Sequence, residues 1–330
     1  MIDSTLQTFP KNAAPIGGPS LTSLSGLSGF RFITNFKNRR MMHRVSAGDF
    51  AMFDFSEDEW VFMGVAVAGT CVGTWRWYAT LLRVSPLNGD ARSQVLLNLA
   101  PPASLALLMI VLQSLADPVY VAGHLDYTLL FLAGGACWIF GASEIFALMG
   151  VSTIDDAMRR RNPAAAVAVV GGVVGVTLAY AGSNIGNGPT IWTTLAPAFV
   201  ATTVLLAFWF MLELAGGAYE AITLDHDMAA GIRLAAFLIC AGAILGRAMA
   251  GDWFDWDSTF SEFVRLGWPA ALLVPAMVMM NRQYAPTPQR PTPEVAKCGL
   301  TPAIVMLGLT VAYLVYLGFP QVAPASARLL

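Results

Sequence analysis

The sequence predicts an all-α integral membrane protein: about eight transmembrane helices arranged as four tandem helical hairpins. Three observations carry this expectation. Of 330 residues, 56% are hydrophobic and only 12% are charged, about half the charge of a soluble domain. Mean hydropathy is +0.61. The apolar residues gather in eight runs with short polar segments between them, and a spanning helix needs about 20 such residues. A soluble fold this apolar would lack the charge to cover its surface. Composition therefore excludes a water-soluble enzyme, a nucleic-acid binder and a disordered chain. The formal net charge of −2 supplies no basic field for polyanions.

Residues 1–59 read as a polar, non-spanning N-terminal arm without the basic-then-apolar pattern of a signal peptide. Its basic cluster holds Arg39 and Arg40 and precedes an acidic, aromatic stretch. The arm either lies on the membrane surface or docks another subunit, with Arg39 and Arg40 as contacts. A transmembrane domain follows over 60–320, with a short tail at 321–330. Its spans are expected at 60–83, 98–117, 127–150, 163–183, 191–215, 228–250, 266–281 and 301–319, the seventh being the shortest. They pair into hairpins at about 60–117, 127–183, 191–250 and 266–319. Residues 183–189 form a tight turn rich in Gly and Asn, and the four prolines of 284–293 an extended connector.

Loop charge sets the expected orientation. Of the loops after spans one, three, five and seven, the first holds Arg92, the second the run Arg159-Arg160-Arg161 and the last Arg282, Arg290 and Lys297, whereas the alternate loops hold only Arg265. This places the basic loops in the cytoplasm and both termini outside, although the N-terminal basic cluster points the other way.

An internal period runs through the even spans. Asn98 precedes Leu99-Ala100-Pro101-Pro102, and Asn162 precedes Pro163-Ala164-Ala165-Ala166, 64 residues on. Asp227 precedes Met228-Ala229-Ala230-Gly231 after 65 more, and Gly299-Leu300-Thr301-Pro302 is a looser copy. A polar cap followed by small residues and early Pro suits a helix start, where the first N–H groups have no intrahelical partner. The expected architecture is a parallel repeat of about 65 residues. Gly171-x-x-x-Gly175 and Gly242-x-x-x-Gly246 recur within it, spacings that let helix backbones pack closely.

Asp155-Asp156, Arg161-Asn162-Pro163-Ala164-Ala165-Ala166 and Gly171-Gly172 with Gly175 resemble the second-helix signature of the YjfL-like family (domain of unknown function 350). The sixth span resembles it less closely, and the likeness covers roughly residues 130–280. It implies a bacterial inner-membrane protein built from helical hairpins and supplies no reaction. The long arm and the extra hairpins depart from that family's pattern.

Charge inside a span is costly and marks a functional candidate. Arg76, Glu144, Glu213 and Arg233 fall within roughly 3–11 Å of one membrane boundary at 1.5 Å per residue. The expected pairs are Arg76 with Glu144 and Glu213 with Arg233. The layer reads either as structural ion pairing or as a gate or cation site. No catalytic motif is present: there is no His-Glu-x-x-His, no Gly-x-Ser-x-Gly and no histidine within a span. The four cysteines form no C-x-x-C pair, so neither a metal nor another cofactor is expected. Trp253 and Trp256 lie in an acidic, aromatic loop suited to a partner subunit. The expected function is a transporter or channel for a cation or small solute, not an enzyme. The alternative is an accessory subunit of a membrane complex. Expected partners are the lipid bilayer and either further copies or other membrane subunits reached through the arm, not nucleic acid.

Overall fold

A computed structural model describes residues 55–83, 91–117, 121–188, 190–285, 293–318 and 320. The N-terminal arm up to residue 54, with Arg39 and Arg40, the tail 321–330 and most of the proline connector lie outside the described residues.

The described residues are helical throughout, without strands. The long helices are α1 (Glu57–Arg83), α2 (Ala91–Ser114), α3 (Leu125–Ile145) and α4 (Pro163–Ser183). They continue with α5 (Trp192–Gly216), a short α6 (Ala218–Thr223), α7 (Met228–Ala248), α8 (Trp256–Gln283) and α9 (Thr301–Leu317). Seven of the eight long helices are long and apolar enough to cross a membrane. The exception is α1, whose 27 residues suffice in length but include Glu57, Asp58, Glu59 and Arg76. The protein is thus a multi-pass membrane protein of about eight long helices.

Local chemistry sets the helix starts. Ser56 and Glu59 form a capping box on α1: Ser56 N–H donates to Glu59 Oε2 at 2.8 Å, and Glu59 N–H donates to Ser56 Oγ at 3.4 Å. Asn162 Oδ1 accepts from the N–H groups of Ala164 and Ala165 at 3.0 and 3.2 Å, with Pro163 opening α4. Asp227 Oδ1 accepts from Ala229 N–H at 2.9 Å and starts α7.

Two spans differ from expectation. α8 is the longest helix, at 28 residues, because Asp255 caps it through Ser258 N–H at 2.7 Å and the polar turn after Trp256 is helical too. α2 begins at Ala91 instead of 98, since the polar Arg92, Ser93 and Gln94 continue the helix outward. Pro101 and Pro102 therefore lie well inside α2 and not in its first turn. Each proline lacks an N–H and so deprives the carbonyl four residues before it of a partner. The helix before α2 supplies replacements. Trp77 Nε1 donates to Leu97 O and Tyr78 OH to Asn98 O, both at 3.1 Å. In a membrane, where water is not there to do it, this satisfaction is required.

Packing links helices two spans apart. Tyr127 OH meets Glu59 at 3.4 Å near one end of the α1–α3 pair, and Arg76 meets Glu144 at 3.0 Å near the other, so the two helices run parallel. Arg247 Nε donates to Gly318 O at 3.0 Å, and Gly299 abuts Ala229, which makes α7 and the α9 segment parallel too. At the centre lie α4 and α7, with 78% of each apolar stretch buried, against 17% for α8 and 22% for α9. Gly171 faces Ala235, Gly175 faces Leu238, Gly242 faces Gly175 and Gly246 faces Leu178, backbone against backbone. A Cβ at any of the four would come closer than 3.0 Å to the opposite helix.

Candidate functional site

The two ends of the bundle differ in charge. One end is arginine-rich, with Arg83, Arg92, Arg159, Arg160 and Arg282, but Asp155, Asp156, Glu220, Asp225 and Glu294 at the same end nearly balance them; the other end is acidic, with Glu59, Asp117, Asp126, Asp252 and Asp257. At the acidic end, the turn after α4 and the loop after α7 are laced together. Gly251 N–H donates to Ile185 O and Trp253 N–H to Asn187 O, both at 2.8 Å, while Asn187 N–H donates to Asp252 Oδ1 at 2.9 Å. Gly186 sits at φ +113°, and a Cβ there would run into the Gly251 carbonyl. Glycine is required at that crossing on both counts.

This laced pair forms one wall of a vestibule of about 580 Å³. The starts of α1, α3 and α5 and the segment after α2 form the rest. Glu59, Asp117 and Asp252 supply carboxylates, Tyr127, Phe131 and Trp253 supply rings, and no basic side chain is among the described lining residues. Asp117 is buried at 2% exposure and Asn184 at 5%. Asn184 Nδ2 donates to Tyr180 O at 2.7 Å, whereas its Oδ1 has no partner among the described residues. Trp253 Nε1 is likewise buried and unpartnered. No group of three described His, Cys, Asp or Glu residues is close enough to hold a metal ion.

The charge layer lies toward the arginine-rich end and divides. Arg76 Nη2 and Glu144 Oε2 pair at 3.0 Å with side chains 53% and 48% exposed, so the pair sits on the bundle's outer surface. Glu213 and Arg233 do not pair. α5 ends at Gly216 and the chain turns back through Gly217 at φ +56°, which delivers Tyr219 N–H to Glu213 Oε2 at 2.9 Å. Trp209 Nε1 also donates to Glu213, at 3.3 Å. Arg233, 1% exposed, bonds α8 and the segment before α9 instead. Its Nε donates to Asn281 Oδ1 at 3.2 Å, one Nη donates to Cys298 O, and Tyr284 presents its ring 5.7 Å away. Depth along the helix axis placed Glu213 and Arg233 at one level; the side of α7 that Arg233 occupies decides its partners.

Trp253 and Trp256 meet edge to face, with ring centroids 6.1 Å apart. Gly171, Gly175, Gly242 and Gly246 all lie in the α4–α7 seam, away from the vestibule. Asp117, Asn184 and Asp252 are the site residues that reading the sequence missed, because each sits in a connection where a solvated cap is the ordinary expectation. Their spacing was the available signal: each follows an even span, with Asn184 67 residues after Asp117 and Asp252 68 after Asn184.

No curated protein and no solved structure matches the chain. Residues 118–249 match the model of one family, Domain of Unknown Function (DUF350). Helices α3, α4, α5 and α7, the central seam and the turn bearing Asn184 thus lie in a segment that is similar to this family.

Proposed function

We propose that the protein is a transporter or channel for a cation or small solute in a bacterial inner membrane, and not an enzyme. The vestibule carries this reading: a carboxylate-lined, aromatic cavity at the acidic end of the bundle. A cleft of one charge sign between low-dielectric walls concentrates counter-ions. With the arginine-rich end in the cytoplasm, as loop Lys and Arg favour, the vestibule opens outward and would take up its solute there. The α4–α7 seam is closed backbone to backbone, which favours a carrier that alternates between closed states over a permanently open pore. Interfaces that join positions 63 to 71 residues apart, from Thr70 with Ala133 to Arg247 with Gly318, are what tandem copies of one hairpin laid side by side would make.

Glu213 is held by N–H donors and has no basic group within 4.0 Å among the described residues, so it is the acid of the charge layer best suited to sense a passing cation. The test is uptake of monovalent cations and small amines by proteoliposomes. Glu213→Gln should slow uptake severalfold, and Glu144→Gln less so. No uptake above that of empty liposomes would refute the transport reading, and unchanged flux in both variants would exclude Glu213 and Glu144 from the path.

A second reading, an accessory subunit of a membrane assembly, draws on the outer stripe of α8. Trp256, Phe260, Val264, Trp268 and Leu272 are all exposed there at one-turn spacing. Purification from gentle detergent as a lone monomer would argue against it.

A further inference from the structure

We infer that the vestibule is a binding site for a small organic cation bearing N–H donors, of the primary ammonium class. The inference builds on the transport reading and names the substrate class of the same site. Three acidic residues, Glu59, Asp117 and Asp252, and two aromatic ones, Tyr127 and Phe131, line one cavity. An ammonium gains from both, since carboxylate oxygens accept its N–H bonds and ring faces attract its charge. A bare divalent ion gains less, because no three described acidic, His or Cys groups converge on one point. A cavity of about 580 Å³ has room for an organic ligand and its hydration.

Asn184 is the independent observation. It is 95% buried in the wall, its amide N–H is spent on Tyr180 O, and its carbonyl oxygen has no partner. A buried acceptor left unbonded destabilises the state that leaves it so, and a donor seated against this wall relieves that cost. Trp253, a residue of the same wall, has a buried Nε1–H without a partner among the described residues, a donor that a hydroxyl oxygen would answer. An amino alcohol would therefore answer both groups.

The test is titration of the purified full-length protein in detergent with methylammonium and ethanolamine, against tetramethylammonium and sodium. Tryptophan fluorescence and titration calorimetry report binding. Both amines should saturate, with ethanolamine the tighter, and tetramethylammonium, equal in charge but without N–H donors, should bind about tenfold more weakly. Asp252→Asn keeps an oxygen for Asn187 N–H and should weaken methylammonium about tenfold, the scale of one charge-assisted hydrogen bond. Asn184→Asp should tighten it and Asn184→Leu should weaken it. If the leucine variant fails to fold, Asp252→Asn and Asn184→Asp decide the matter. The inference is overturned if no amine saturates, if tetramethylammonium binds as well as methylammonium, or if Asp252→Asn binds like the wild type. Saturable amine binding without flux keeps the site and removes the transport reading. Flux without amine binding does the reverse.

Discussion

The α4–α7 seam makes the sharpest stability prediction, through Gly242→Ala. A Cβ at residue 242 would stand 2.7 Å from both the carbonyl carbon and the Cα of Gly175. Carbon atoms pack best at about 3.5–4.0 Å, so the seam must open by about 1 Å at that level. The obstacle is backbone on a buried helix, and no rotamer change relieves it. Overpacking of this kind costs about 1–3 kcal/mol, and a backbone obstacle belongs at the upper end. Gly64→Ala is the matched control, because a Cβ there meets nothing within 4 Å. Alanine in a helix interior should gain about 0.5–1 kcal/mol there. The two variants, chemically the same change, should thus differ by about 3 kcal/mol in opposite directions. Denaturant unfolding in detergent micelles, followed by circular dichroism, measures the difference. If Gly242→Ala is as stable as Gly64→Ala, the seam does not hold the bundle together as described.

Other perturbations follow from particular contacts. Trp77→Phe removes the donor to Leu97 O and should cost about 1–3 kcal/mol; adding Pro101→Ala restores an N–H for that carbonyl and should recover part of the loss in the same unfolding assay. Arg76→Ala should destabilise more than the double change Arg76→Ala with Glu144→Ala, because the single change strands a carboxylate at the membrane; additive losses would count against the pair. Burial pushes the Asp227 carboxyl above its ordinary range, against the opposing pull of Ala229 N–H and of Arg233. A raised folded value means that its contribution is greatest below the unfolded value of about 3.9 and is lost as pH rises through the folded one. Asp227→Asn keeps an acceptor for the cap and removes this titration. The wild-type melting temperature should therefore fall relative to the variant's on raising the pH from about 4 to about 7, and parallel curves would refute the assignment.

Composition and hydrophobic runs determined the fold class, because a chain with so few charges has only the bilayer to fold in. Helix starts at Asn162 and Asp227 were legible for a local reason: a polar cap before a run of small residues satisfies orphan N–H groups whatever the surroundings. Arg76 and Glu144 were matched by depth alone, which suffices when both side chains lie on the same outer surface. Depth did not suffice for Glu213 and Arg233, since the turn at Gly217 and the face of α7 toward α8 choose their partners. The prolines of α2 show the same division. Their presence is written in the sequence, but only the neighbouring helix decides that Trp77 and Tyr78 take up the carbonyls they leave free. The vestibule belongs wholly to the tertiary structure. Glu59 in the first turn of α1 and Asp117, Asn184 and Asp252 in separate connections become one cavity because parallel packing of helices two spans apart brings their ends to the same side.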